Sequence, residues 1–232
     1  LKIKFSTNNE LALNNFPPIP AGKLVPDWYK NLSLLVDKDA LDARFLAEND
    51  LPTPLTIKGC VPVKDYITSG YIIRTHTDIL ITPDQLPDEM HSWWWKAKYE
   101  CLGSHSYRQC PVNIGKGKNT YMKYINPWMI KTPPGYSCLF YQPEYFFNEK
   151  IKVLPGIVDT DTYDSNVNFP FVVMSDKTFM IKCGDPIMVV MPFKRDDWSS
   201  EVSFAGPQKD SNMNIHMLRG YLKMFHKRKT FK

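Results

Sequence analysis

The chain has no pair of cysteines at the C-x-x-C spacing, and its five cysteines, Cys60, Cys101, Cys110, Cys138 and Cys183, are odd in number. This argues against structural zinc and against a disulfide framework, and it fits reduced thiols in a cytosolically made protein. No apolar run is long enough to span a bilayer, and no basic-then-apolar leader opens the chain, so no membrane partner is expected. Basic charge is not in excess over the body. The net charge is +5, and Lys223, Lys227, Arg228, Lys229 and Lys232 account for as much on their own. Nucleic acid is therefore expected only through that C-terminal tail.

The common catalytic signatures are absent too. Gly115-Lys116-Gly117-Lys118 lacks the G-x-x-x-x-G-K-[ST] spacing of a phosphate loop, and no helix is expected after it. There is no H-E-x-x-H, no Ser/His/Asp elbow and no pair of acids flanking a groove. His76-x-Asp78 supplies half of a two-His-one-carboxylate iron site. The later histidines, His216 and His226, fall in an expected helix instead of a core strand. His76 and Asp78 are thus expected as exposed strand ends, with no metal and no cofactor.

What is present points to a β protein. Hydrophobic residues make up 43% and charged residues 23% of 232 positions, enough for one domain with a real core. Aromatics at 13% and 19 prolines favour strands and fixed loops over a helical bundle. Ser137–Gln142, Phe169–Met174, Thr178–Lys182 and Ile187–Phe193 each read as a strand by length and by aromatic or β-branched content. Leu1–Phe5 alternates as an edge strand, and Leu55–Val63 and Tyr66–Ile73 also read as strands.

Three regions follow: an N-terminal arm with short helices over 1–54, a β-rich core over 55–198, and a linker with a basic amphipathic helix over 199–232. The arm, rich in proline from Phe16 to Pro26, is expected to be extended, with Asp27 capping a short helix that carries Trp28 and Tyr29. Trp94 falls on the outer face of an alternating strand. Ile215, Leu218, Leu222 and Phe225 form one helical stripe. Trp28, Tyr29, Trp94 and that stripe are the expected interface residues.

The order of turns in the core carries a resemblance. Pro133-Pro134-Gly135-Tyr136 precedes one strand, Pro155-Gly156-Ile157-Val158-Asp159-Thr160-Asp161 follows, and Phe179-x-Ile181-Lys182-x-Gly184-Asp185-Pro186-Ile187 joins two more. This resembles the centre of trimeric dUTPases and related β-clip proteins. The whole chain is similar to an uncharacterised family of bacteria and tailed phages with the same skeleton. The resemblance implies a β-clip, dUTPase-like or jelly-roll-like core. It also implies Asp159 as the water-activating carboxylate, Asp161 as the second acid and Tyr163, displaced by one residue, as the ring that packs on the sugar.

Other family positions are not matched. Gln142-Pro143-Glu144-Tyr145 stands where a phosphate-binding R-S-G turn is expected, and Met188 and Val189 stand where a glutamine is expected. Ser69-Gly70-Tyr71-Ile72 lacks the metal-site aspartate. Asp159 and Asp161 then read first as turn residues bonded to their own backbone.

The expectation is a non-enzymatic structural protein made in a host cytoplasm and placed in a virion. It would be a homo-oligomer, a trimer by preference, with other virion proteins as partners. The alternatives are a dUTPase-like nucleotide pyrophosphatase using Asp159, and a small-ligand or glycan-binding module using Trp94, Trp128 or Trp198.

Overall fold

Short alternating segments punctuated by proline and glycine fold as antiparallel ladders. The computed structural model describes residues 1–37, 54–83, 101–104, 121–204, 206, 221–222 and 225–232. They divide into two units, Leu1–Leu24 with Gly70–Arg195, and Val25–Ser69 with Asp196–Lys232.

The first unit carries the strands. In chain order they are β1 (Lys4–Ser6), β2 (Ile19–Pro20), β3 (Tyr71–Arg74), β4 (Ile79–Ile81), β5 (Leu102–Ser104), β6 (Tyr121–Tyr124) and β7 (Met129–Lys131). β8 (Tyr136–Tyr141), β9 (Ile151–Val153), β10 (Gly156–Val158), β11 (Phe169–Val173), β12 (Phe179–Ile181) and β13 (Pro186–Lys194) complete them. One sheet has the order β10-β8-β13-β3-β2 and another β5-β6-β11-β9, while β1–β7 and β12–β4 form separate pairs. The mainly β class expected from composition is the class observed.

Burial follows side-chain period. In β12, Phe179 and Ile181 point inward and Met180 outward, and β4 repeats this with Ile79, Ile81 and Leu80. β11 is buried on both faces. It lies between β6 and β9, with Phe169, Phe171, Val172 and Val173 all inaccessible. One apolar cluster joins Phe169, Phe171 and Val173 to Ile73, Trp128, Ile130, Phe140 and Val190. Each fully buried side chain of this size contributes about 1.5–3 kcal/mol.

The proline-rich start is not one extended arm. Asn9 accepts a hydrogen bond from the Ala12 amide at 3.0 Å and caps α1 (Glu10–Asn15). Ile19–Pro20 then pairs with β3 as the sheet's outer strand, the place where proline's missing amide costs least.

In the second unit the strand expected at Leu55–Val63 is absent. Thr56 caps a 3-10 turn over Ile57–Gly59, and Val61–Thr68 is a helix with Pro62 in its first turn. Proline's fixed φ suits that position, and local β-branched content does not override it. Of the second expected strand only Tyr71–Arg74 is one, in the first unit. α2 (Asp27–Asn31) has Pro26 at its N-cap, so Asp27 is its first helical residue instead of its cap. With Val61–Thr68 as α3, Asp65 accepts from Lys229 at 2.5 Å and lies 3.1 Å from the His226 ring, pinning the chain's end to this helix. Burial raises the Asp65 pKa, and the Lys229 and His226 contacts outweigh it and hold the group below its ordinary value.

His76 is a correction. It is buried in the first unit, with Nδ1 2.9 Å from the Tyr124 hydroxyl and Nε2 without a partner among the described residues. Burial holds its pKa below the ordinary 6.5, so the folded state keeps the ring neutral. The unfolded chain then takes the proton first. Stability is therefore full above about pH 6.5 and falls as pH drops toward the folded-state value. Urea midpoints at about pH 7.5 and about pH 5.5 should differ more for the wild type than for His76→Gln. Equal differences would contradict this account.

Candidate active site at one end of the five-stranded sheet

Strand register gathers the acids. β8 lies between β10 and β13, with Val158 opposite Cys138 and Lys194 opposite Tyr136. The residues just past these pairs, Asp159 and Arg195, meet beside Ser137 at the same sheet end. Pro133-Pro134-Gly135-Tyr136 closes this end as a turn, with the Tyr136 amide bonded to Pro133 O at 3.2 Å and Gly135 at φ +82°. Pro134 and then a left-handed Gly135 fit a type II turn. Nothing lies within 4 Å of a Cβ placed on Gly135, so only its backbone angle resists a side chain. Gly135→Ala should cost roughly 1–2 kcal/mol in urea unfolding; no loss would speak against the left-handed turn.

The Arg195 amide donates to Gly135 O at 2.9 Å, and its guanidinium reaches across the sheet end. Nη1 is 3.0 Å from Ser137 Oγ, 2.9 Å from Asp161 Oδ1 and 3.2 Å from Asp159 Oδ1, and Nη2 pairs with Asp161 Oδ2. The Gly135 amide donates to Asp161 Oδ2 at 2.8 Å. The Arg195 hydrogen bonds, opposed by burial and helped by Gly135, hold Asp161 far below the usual carboxylate range. Arg195 is raised in return.

The two acids are placed differently. Asp161 is enclosed, its side chain 6% exposed. Asp159 is 62% exposed and accepts from Ser137 Oγ at 2.6 Å through Oδ1. Its Oδ2 has no hydrogen-bond partner among the described residues. Asp159 reaches Ser137 on β8, and Asp161, besides bonding its own backbone as expected, reaches the Gly135 turn and Arg195. The loop is shaped by the Asp159 carbonyl, which takes the Thr162 and Tyr163 amides at 3.1 and 2.9 Å. Tyr163 itself is 43% exposed. Cys138 beside the site accepts from Thr160 Oγ1 at 3.3 Å, and burial pushes its thiol up to about 11, which leaves it unreactive. Among the described residues no group of three or more His, Cys, Asp or Glu could hold a metal.

Other expected site residues lie elsewhere. Tyr29 is buried, its hydroxyl donating to Lys58 O at 3.4 Å, and Trp28 is half-buried against it. Leu222 and Phe225 are exposed, whereas Trp94, Ile215 and Leu218 lie outside the described residues. Trp128 is buried in the core and cannot contact a glycan; Trp198 is 89% exposed. Arg195 and Ser137 were not singled out in the sequence. Arg195 follows an expected strand, but only the register of β13 on β8 brings it to the acids.

No protein-family model matches the chain, and no curated protein does. Solved structures similar to it include the EIAV dUTPase, at 10% identity over 60% of this chain and 87% of that one, with a TM-score of 0.36. A mutant dUTPase from phage phi11 of S. aureus is similar at 12% identity over 60% and 84%, with a TM-score of 0.33. The Staphylococcus bacteriophage 80alpha dUTPase is similar at 11% identity over 61% and 84%, with a TM-score of 0.32. In this chain the Pro-Pro-Gly turn leads into β8, Gly156–Val158 is β10 with Asp159 at its end, and Gly184-Asp185 turns β12 toward β13.

The expectation of a non-enzymatic protein is corrected by these findings, since the similar structures are named as dUTPases, which are enzymes. Their names say nothing of a virion component. The homo-oligomer and the virion partners stay expectations of the sequence reading. No helix among the described residues is long and apolar enough to cross a membrane.

Proposed function

We propose that the chain is a nucleotide pyrophosphatase in which Asp159 is the general base. One observation supports this above the others. Asp159 is fixed through Oδ1 by Ser137 and Arg195, while the rest of its carboxylate is open to solvent. A carboxylate oriented on one side and wet on the other can hold a water and take its proton.

The step is simple. Water gives a proton to Asp159, and its oxygen bonds to the α-phosphorus of a nucleoside triphosphate. The bond from that phosphorus to the oxygen bridging to the β-phosphate breaks, and its electron pair leaves with pyrophosphate. The nucleoside monophosphate is the other product. Tyr163, tied by its amide to the Asp159 carbonyl and partly exposed, offers a ring for the sugar. Glu144, exposed on the turn after β8, lies past the other end of that strand from Ser137 and takes no part in this step.

The test is pyrophosphate release by the full chain from a panel of deoxynucleoside triphosphates supplied as magnesium complexes. Turnover by the wild type that is lost in Asp159→Asn is expected. An inert wild type, or an unaffected variant, overturns the reading.

A further inference from the structure

We propose that the Arg195 guanidinium and the Gly135 amide form a phosphate-binding site, and that Asp161 plugs this site when no ligand is bound. The substrate class, a phosphate chain carried by a nucleotide, rests on the reading above. The site itself is read from geometry.

Three N–H donors converge on one carboxylate. Arg195 Nη1 is 2.9 Å from Asp161 Oδ1, Arg195 Nη2 pairs with Oδ2, and the Gly135 amide is 2.8 Å from Oδ2. A planar fork together with a turn amide is the donor set that also takes phosphate oxygens. Asp161 occupies it as an internal anion. The same guanidinium lies 3.2 Å from Asp159, so a phosphate held on it would sit beside the base.

The segment that bears the plug is held by hydrogen bonds, Asn166 Nδ2 to Asn126 O at 2.9 Å among them, with little apolar packing. Thr160 before it and Val167 after it are buried, but Thr162, Tyr163, Asp164, Ser165 and Asn166 are exposed. Moving these residues removes little apolar surface from the core. A second acid on this segment repeats the arrangement. Asp164, 86% exposed, pairs with Lys131 at the end of β7. The segment thus lays two acids on two cations, one just past β13 and one at the end of β7, and opening it would free both cations together.

Charge explains why a plug is needed. Arg195 faces both Asp159 and Asp161, so its surroundings carry net negative charge while Asp161 is seated. A monoanion gains little there. A polyphosphate with several charges can replace Asp161 at the fork and also attract Lys131. Arg195, just past β13, thus offers a guanidinium beside Ser137, at the other end of β8 from Gln142-Pro143-Glu144-Tyr145.

The experiment measures binding of inorganic tripolyphosphate to the full chain by calorimetry, at low ionic strength and without metal. Asp161→Asn is expected to bind on the order of tenfold tighter than the wild type, and Arg195→Met added to it is expected to abolish the gain. No gain in Asp161→Asn, or a gain that survives Arg195→Met, overturns the proposal. Nitrogen-15 spectra of the wild type keep the test independent of variant folding. Tripolyphosphate should shift the Arg195 side-chain and Gly135 amide signals, and no shift at either overturns the site. Binding without hydrolysis would leave the plug standing and remove only the pyrophosphatase reading. Hydrolysis that needs Asp159 but is indifferent to Arg195 would do the reverse.

Discussion

Asp159→Asn is expected to lower kcat for the proposed nucleotide hydrolysis by roughly 10²–10⁴-fold, the usual contribution of a positioned general base. The substitution keeps the side chain's shape and its acceptor oxygen toward Ser137, but the amide cannot take a proton from water. KM should change little, because the lost interaction belongs to the transition state. The unfolding midpoint should also stay near that of the wild type, since the side chain is 62% exposed. Steady-state kinetics and urea unfolding on the same preparations separate the two effects. A loss of activity that merely follows a loss of stability would place Asp159 in the turn and not in the chemistry.

The largest expected effect on stability lies far from that carboxylate. Phe171→Ala should cost about 3–5 kcal/mol, a large part of the roughly 5–15 kcal/mol that keeps a domain folded. Phe171 is fully buried in β11, opposite Met122 on β6 and Val153 on β9, and belongs to the main apolar cluster. Truncation loses the transfer energy of the ring and leaves a cavity that paired strands on both sides cannot collapse into. Urea unfolding followed by far-ultraviolet circular dichroism measures it. A loss under about 1 kcal/mol would mean that this sheet is not packed as described.

Several elements were legible before any coordinates. Tyr136–Tyr141, Phe169–Val173, Phe179–Ile181 and Pro186–Lys194 fall within a residue or two of the strands expected from aromatic and β-branched runs between turn residues. Val61–Thr68 was misread because its β-branched residues masked a proline at a helix-starting position. His76 was misread because a short polar stretch between strands looks like a surface turn, whereas its burial comes from Tyr124, 48 residues away in sequence.

The sequence by itself determined the mainly β class and the Pro-Pro-Gly turn, while Asp159 became a candidate only through the resemblance of its segment to dUTPases. Each of these depends on a few neighbouring residues, and neighbours set backbone preference. Tertiary structure alone decided that Asp161 is enclosed, that Asp159 is open, and that Arg195 serves both. Those facts depend on which strand lies beside which and in what register. Register is fixed by how side chains fill a shared interior, which no local stretch of sequence can express.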